Sequence, residues 1–173
     1  MSITAKLNGL SDEDARAALT NSCAAQKWVS GLLTYRPFAN DDALFTACDA
    51  VAATLSESDW LEAFAAHPLI GDVDSLRKKY GATKQLAAGE QSGVDAASEA
   101  TLRELAELNR TYAERFGFIF IVFATGKTAD EMLAILKSRI NNSRGQELAN
   151  AAAEQLKITR LRIEKLANGS NQS

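Results

Sequence analysis

The fold is decided by the stretch at residues 98–117, SEATLRELAELNRTYAERFG. Apolar side chains recur in it every three or four residues, which is the spacing of one face of an α-helix. Gly117 predicts the end of this helix, because glycine commonly follows a helix C-terminus. The apolar stripe consists of Leu102, Leu105, Leu108, Tyr112 and Phe116.

The same spacing continues through most of the chain, in which 2 prolines interrupt 173 residues rich in helix-forming side chains. The sequence therefore predicts an all-α fold: a single compact multi-helix bundle of roughly eight helices over residues 1–173, with a frayed polar tail at 167–173. Further helices are expected from about Ser11, from about Ser22 to before Pro37, from about Asp41, from Ser58 to His67, from Thr128 to about Asn141, and from Arg144 to Leu166.

Three regions give more specific expectations. Between Gly71 and Ser98, four glycines predict short helical pieces and loops, a natural setting for a functional site. The run FIFIVFA at residues 118–124 is the least polar segment, and it is expected to be an extended or helical buried segment outside any sheet. In the last helix, the side chains expected to face inward are Leu148, Ala152, Leu156, Thr159 and Ile163.

Composition and charge restrict the class of protein. Hydrophobic residues make up 46% of the chain and charged residues 24%, which is typical of a globular domain with its own core. The formal charge of -3 comes without a basic face, so nucleic acid is not an expected partner. No segment is long and apolar enough to span a bilayer, and the N-terminus lacks the apolar core of a signal peptide. We therefore expect no membrane association and a cytoplasmic location.

Metal and cofactor chemistry lacks its usual signatures. Cys23 and Cys48 lie on separate apolar segments, so packed thiols are favoured over a disulfide. Two cysteines and one histidine do not provide a usual structural zinc set, and no metal site is predicted. A glycine-rich phosphate loop and a Gly-x-Ser-x-Gly elbow are also missing from the sequence. If the chain is an enzyme, it is expected to work without a cofactor.

His67 is the single histidine of the chain. Its unperturbed pKa of about 6.5 makes it the obvious candidate for proton transfer near neutrality. Pro68 disfavours helical conformation in the residue before it, so His67 is expected at a helix end where the chain turns. The alternative is a half-buried histidine that only packs beside that turn, and other segments must decide between the two.

An ordered set of short strings resembles the family of decarboxylases that act on 2-oxo-4-hydroxy-4-carboxy-5-ureidoimidazoline (OHCU). The strings span residues 35 to 163, so the resemblance covers most of the chain, and their order makes it specific. They are Tyr35-Arg36-Pro37-Phe38, His67-Pro68-Leu69-Ile70-Gly71, Glu90-Gln91, Leu108-Asn109 with Tyr112, Phe116-Gly117-Phe118 with Phe120-Ile121, Arg139, and Leu161-Arg162-Ile163.

The resemblance implies a set of functional residues. His67 is the implied catalytic acid/base, and Glu90 is implied to supply polar contacts. As a mechanistic hypothesis, Glu90 orients the imidazole, holds the ureido group or returns a proton. Some relatives have serine at the position of Ala87, so a hydroxyl contact made there would be missing in this chain. The implied substrate-binding residues are Pro68, Ala87, Ala88, Gly89, Glu90, Gln91, Phe120, Ile121, Val122, Phe123, Ala124 and Arg162.

The activity implied by the resemblance is decarboxylation of OHCU to (S)-allantoin and CO2 in urate breakdown, by a homodimer without a cofactor. Without the resemblance, Glu90, Gln91 and Arg162 would be interpreted as solvated surface side chains. One alternative is a non-enzymatic helical module that binds a partner protein, with His67 as a turn residue. Another is a cofactor-free enzyme on the same scaffold that acts on a different ureido or amide substrate.

Overall fold

The computed structural model describes residues 1–86 and 92–168, with side chains at 1–80 and 99–168. Nine α-helices and no strands occur in these ranges, which confirms the predicted all-α fold. Among the helices of the described part, none combines the length and the apolar character needed to cross a membrane. The helices are α1 (Ile3–Gly9), α2 (Asp12–Ser22), α3 (Gln26–Leu33), α4 (Asp41–Ala52), α5 (Glu57–Ala65), α6 (Val73–Leu86), α7 (Ser92–Phe116), α8 (Ala129–Arg139) and α9 (Arg144–Leu166).

The chain divides into two units, and the single-domain organisation expected from the sequence stays a prediction. The first unit comprises Met1–His67 and Ala152–Ser173, and in it α3 packs against α2, α4 and α5. The second unit comprises Pro68–Ala151, and in it α7 packs against α6 and α8. Trp28 and Leu44 are completely buried in the first unit, and Tyr112 and Leu136 are completely buried in the second.

Side-chain caps fix several of the helix starts that the sequence predicted. The hydroxyl of Ser11 accepts a hydrogen bond from the backbone N–H of Asp14 at the start of α2. At α8, Thr128 and Glu131 form the expected capping box, in which each side chain accepts from the other residue's backbone N–H. Gly117 ends α7 with a φ of 80°, a conformation that glycine adopts without steric cost.

The predicted start of α3 near Ser22 is wrong, because the chain is extended between α2 and α3. Cys23 has φ -153° and ψ 119°, and α3 begins only at Gln26. The carboxylate of Glu62, from α5, accepts a hydrogen bond from the backbone N–H of Gln26 at 2.9 Å. This contact between residues 36 positions apart satisfies the start of α3, and no local pattern could reveal it.

The predicted helix breaks at Gly81 and Gly93 are also wrong, and Gly89 lies outside the described residues. Helix α6 continues through Gly81, and α7 begins early enough to include Gly93. Asp72 caps α6 by accepting from the backbone N–H of Ser75 at 2.8 Å. A glycine inside a helix costs only about 1 kcal/mol relative to alanine, so a capped helix can tolerate one.

Helix α9 has the predicted bounds, but its buried row differs from the predicted one. Thr159 and Ile163 are buried as expected, whereas Leu148, Ala152 and Leu156 are only half-buried. The buried row runs at intervals of four residues, and its members are Glu147, Ala151, Gln155, Thr159 and Ile163. The sequence did not predict α1 at all. Residues 118–124 form neither helix nor strand and are mostly buried, which confirms the prediction for that segment.

Candidate active site

His67 lies on the bend that follows α5. The helix ends at Ala65, and the backbone N–H of His67 still donates to the carbonyl of Phe64 at 3.0 Å. The next residue, Pro68, has no N–H to continue the ladder and disfavours helix before it. The imidazole is half-buried, so it is held by the first unit but keeps some access to solvent.

A buried amide from α9 contacts the imidazole. Nε2 of His67 lies 2.7 Å from Oε1 of Gln155, and Gln155 is completely buried. Nε2 of Gln155 in turn donates to the hydroxyl of Thr159 at 3.1 Å. Because Gln155 and Thr159 are one helical turn apart, both groups lie on the same face of α9, and Gln155 contacts His67.

The surroundings of His67 favour its neutral form. Burial lowers the pKa of the imidazole below its usual value, and the nearby positive charge of Arg162 lowers it further. The hydrogen bond with Gln155 acts in the opposite direction but does not cancel these two effects. At neutral pH, His67 is therefore a base with a free lone pair on one ring nitrogen.

Arg162 belongs to the same unit as His67 and is close enough to affect its pKa. Its side chain is exposed, and Nη1 lies 3.4 Å from the carbonyl oxygens of Asn21 and Ser22 at the end of α2. These long contacts suit a cation at a helix C-terminus, which is the structural explanation for the residue. Arg162 also lines a groove of about 590 Å3 whose lining residues do not include His67.

The thiol of Cys23 adjoins Thr159 in this polar group. Burial raises the pKa of Cys23, and the neighbouring backbone of Ala25, the Thr159 hydroxyl and the Arg162 charge lower it by less. Cys23 and Cys48 are both free and buried, in agreement with the predicted packed thiols. The Cys23 side chain is thus a protonated thiol and not an activated nucleophile.

The second unit contains residues 120–124, which the resemblance implied to bind substrate. Phe120, Ile121 and Val122 are buried, and Phe123 and Ala124 are half-buried. None of the described residues pairs with this segment as a strand, and the segment is fixed through its carbonyl groups. Arg139 donates to the carbonyl of Ile121 at 2.8 Å, and Lys127 donates to that of Phe123 at 2.7 Å.

Glu147 anchors Arg139 and is completely buried. Its carboxylate accepts from Nε of Arg139 at 2.7 Å and from the hydroxyl of Tyr112 at 2.6 Å. Asn142 and Asn150 donate to the other carboxylate oxygen at 2.9 and 2.8 Å. Burial alone would raise the pKa of Glu147, but these four donors lower it below its usual value. The carboxylate is therefore ionised and holds Arg139 in place for the Ile121 carbonyl.

The remaining predicted site residues are placed as follows. Pro68 is exposed and is the first residue of the second unit. Ala87, Ala88, Gly89, Glu90 and Gln91 lie outside the described residues. Within the ranges that the structure describes, no group of three or more His, Cys, Asp or Glu side chains could hold a metal ion.

Comparison with known proteins identifies the family. The family model for OHCU decarboxylase matches residues 8–164. The chain belongs to the OHCU decarboxylase family. The resemblance seen in the short sequence strings is thereby confirmed.

Individual relatives agree with this family. The chain is 39% identical over 144 residues to the uric acid degradation bifunctional protein TTL of Arabidopsis thaliana, an alignment that covers 83% of this chain and 44% of that protein. It thus spans less than half the length of this bifunctional relative. It is 26% identical to the 2-oxo-4-hydroxy-4-carboxy-5-ureidoimidazoline decarboxylase of Haloferax volcanii, over 91% of this chain and 92% of that protein.

A solved structure resembles the fold along almost its full length. A crystal structure of an OHCU decarboxylase in the presence of (S)-allantoin matches with a TM-score of 0.68 and 37% identity. The match covers 92% of this chain and 99% of that one. The helical arrangement described above is therefore one that a member of the OHCU decarboxylase family adopts.

Sequence reasoning missed two buried polar residues of α9. One contacts a predicted site residue, and the other contacts the arginine that fixes the backbone of residues 118–124. Gln155 touches His67, and Glu147 holds Arg139. The available signal was the four-residue interval, because both residues are in register with Ala151 and Ile163. A polar residue in such a buried row must have hydrogen-bond partners, which makes it a candidate for positioning other polar groups.

Proposed function

We propose that this protein decarboxylates OHCU to (S)-allantoin and CO2 in urate breakdown, without a cofactor and with His67 as the acid/base. The observation that carries the proposal is the imidazole of His67, which is half-buried, contacts Gln155 at 2.7 Å and has a lowered pKa. Membership of the OHCU decarboxylase family supplies the substrate class. Together they support a neutral base next to the reacting ring.

The reaction needs no external electron sink. OHCU carries a carboxylate and a hydroxyl on one ring carbon, beside a carbon double-bonded to nitrogen. When the bond to the carboxylate breaks, its electron pair forms a new bond between the two ring carbons, and the C=N electron pair moves to nitrogen, which takes a proton from solvent. The hydroxyl proton moves to His67, and His67 or Glu90 then delivers a proton to the neighbouring ring carbon. Delivery to one face gives (S)-allantoin.

Other predicted residues would bind and orient the substrate. We propose polar contacts from Glu90 and Gln91 to the ureido group, with Pro68 and residues 87–89 bordering the substrate. Residues 120–124 would form an apolar wall that presents backbone groups. The buried contact of Arg139 with the Ile121 carbonyl supports this role, because it fixes the backbone of a segment without regular structure.

Arg162 would complete the site from α9. Its effect on the pKa of His67 supports a position near the reacting group. A guanidinium that gripped the departing carboxylate would stabilise its charge in the ground state and oppose the loss of CO2. We therefore propose that Arg162 binds the ring carbonyl oxygen, which shares the negative charge that develops on the adjoining ring nitrogen.

The test is circular dichroism of urate oxidation by urate oxidase together with the hydrolase that follows it. We expect wild-type protein to accelerate the growth of the (S)-allantoin signal, and His67→Asn to abolish the acceleration. Arg162→Gln should reduce it, whereas the matched variant Arg160→Gln, on the same helix, should not. Full stereospecific activity of His67→Asn would contradict the role of His67. No acceleration by wild type would favour the helical interaction module. We also propose that the protein forms a homodimer, which size-exclusion chromatography with light scattering tests.

A further inference from the structure

The amide of Gln155 has a defined orientation, because its neighbours leave only one consistent assignment of hydrogens. The hydroxyl of Thr159 lies 2.8 Å from the backbone carbonyl of Gln155, to which it donates its single hydrogen. The hydroxyl oxygen can then only accept from the Gln155 side chain, 3.1 Å away. The NH2 group of the amide therefore faces Thr159, and its carbonyl oxygen faces His67.

The reversed amide would be inconsistent with these distances. Oε1 would then face Thr159, and one hydroxyl hydrogen would have to serve two acceptors, the side-chain oxygen and the backbone carbonyl of Gln155. The NH2 group would face Nε2 of His67 and require a lone pair there. Burial makes this arrangement costly, since Gln155 has no exposed surface from which water could reach it.

We propose that Gln155 is a positioning residue that keeps the hydrogen of the neutral His67 imidazole on Nε2, so that Nδ1 carries the lone pair and acts as the base. The inference rests on the proposed function for the role of Nδ1. Oε1 of Gln155 is an acceptor 2.7 Å from Nε2, and a neutral imidazole has only one N–H. The other tautomer would place two lone pairs against each other, which disfavours it by roughly tenfold or more.

The same hydrogen bond persists when the ring is protonated. The imidazolium carries a hydrogen on both nitrogens, so Nε2 continues to donate to Gln155 while Nδ1 gains the substrate hydroxyl proton. The ring does not turn between taking a proton and returning it. Because the ring keeps its orientation, the proton is returned from a fixed position relative to the substrate, and this contributes to formation of a single stereoisomer.

The test uses the fact that the chain has a single histidine. In protein labelled with 15N-histidine, long-range 1H–15N correlation spectra at pH 8 contain one imidazole, and they distinguish the nitrogen that carries hydrogen. We expect hydrogen on Nε2 in wild type. In Gln155→Leu we expect the two tautomers to mix and kcat to fall about tenfold, with little change in KM.

Lys157→Leu is the matched control, because it adds a leucine to an exposed position of α9, and it should keep the wild-type spectrum and kcat. Hydrogen on Nδ1 in wild type would overturn the inference, as would an unchanged tautomer and kcat in folded Gln155→Leu. The wild-type spectrum is decisive even where a variant fails to fold. An inactive wild type with hydrogen on Nε2 would refute the proposed function and leave the positioning by Gln155 intact.

Discussion

Three factors determine the pKa of His67: the partial burial of its ring, the hydrogen bond with the amide of Gln155 and the charge of Arg162. Of these, the Arg162 charge can be removed without touching the ring. Arg162→Gln is expected to raise the pKa of His67, because a positive charge no longer opposes protonation. A proton NMR titration of the single histidine measures this change.

The matched control is Arg160→Gln, which removes an exposed cation of the same helix. Arg160 pairs with Glu164 and stacks over the ring of Phe45, with 4.1 Å from its guanidinium carbon to the ring centroid. We expect no change in the His67 titration in this variant. A lowered or unaltered pKa in Arg162→Gln would show that Arg162 does not act on His67 electrostatically.

At the scale of helices, the buried carboxylate of Glu147 ties α7, α8 and α9 to the segment at residues 118–124. Glu147→Gln would leave the buried guanidinium of Arg139 without a charged partner. Breaking a buried ion pair on one side typically costs about 3–5 kcal/mol, so we expect a loss of that order in the free energy of unfolding. Urea denaturation followed by circular dichroism measures it.

Two further variants define the origin of that loss. Tyr112→Phe removes only one of the four donors to Glu147, and about 1 kcal/mol is expected. Glu164→Gln removes a half-exposed carboxylate that pairs with Arg160 on the surface of α9, and its effect should stay below about 0.5 kcal/mol. Equal losses in the free energy of unfolding of Glu147→Gln and Glu164→Gln would show that burial of Glu147 does not increase its contribution to stability.

How well the sequence predicts the helices depends on how far apart along the chain the residues that determine each helix end lie. Ser11 and Thr128 cap helices within three residues, so their local pattern predicted α2 and α8 correctly. The start of α3 depends on Glu62, which is distant in sequence and was missed. Glycines 81 and 93 were given too much weight, because a helix-breaking tendency of about 1 kcal/mol is easily offset by capping and packing.

The candidate site shows the same limit. His67 is recognisable because it is the single histidine and precedes proline, and both facts are local. Gln155 is 88 positions away, and its contact with the imidazole depends on how α9 packs in the first unit. Its side-chain type alone predicts an exposed amide. Only the four-residue register of the buried row distinguishes it from an ordinary surface glutamine.

For the whole molecule, stability is expected to fall in two stages as pH decreases. The pKa of His67 is lowered in the folded state, so its contribution is present above about pH 6.5 and is lost as pH falls through the folded pKa. The pKa values of Asp41, Asp59 and Asp72 are lowered by hydrogen bonds from Thr4, Ser56 and Ser75, so their contributions disappear at lower pH, below about 4.

Urea denaturation at a series of pH values from 8 to 3 tests this expectation. In His67→Asn, the first decline should be missing, because no histidine remains to bind a proton preferentially in the unfolded chain. The second decline should remain. A first decline of the same size in His67→Asn would assign it to other groups.

Both tryptophans of the chain lie in the first unit. Trp28 is completely buried, and Trp60 stacks on Phe64 with 6.3 Å between ring centroids. The second unit, Pro68–Ala151, contains no tryptophan in its sequence. Intrinsic tryptophan fluorescence therefore originates in the first unit, whereas the far-ultraviolet ellipticity of the helices comes from both units. A melting curve recorded by emission follows the tryptophans of the unit that also contains His67.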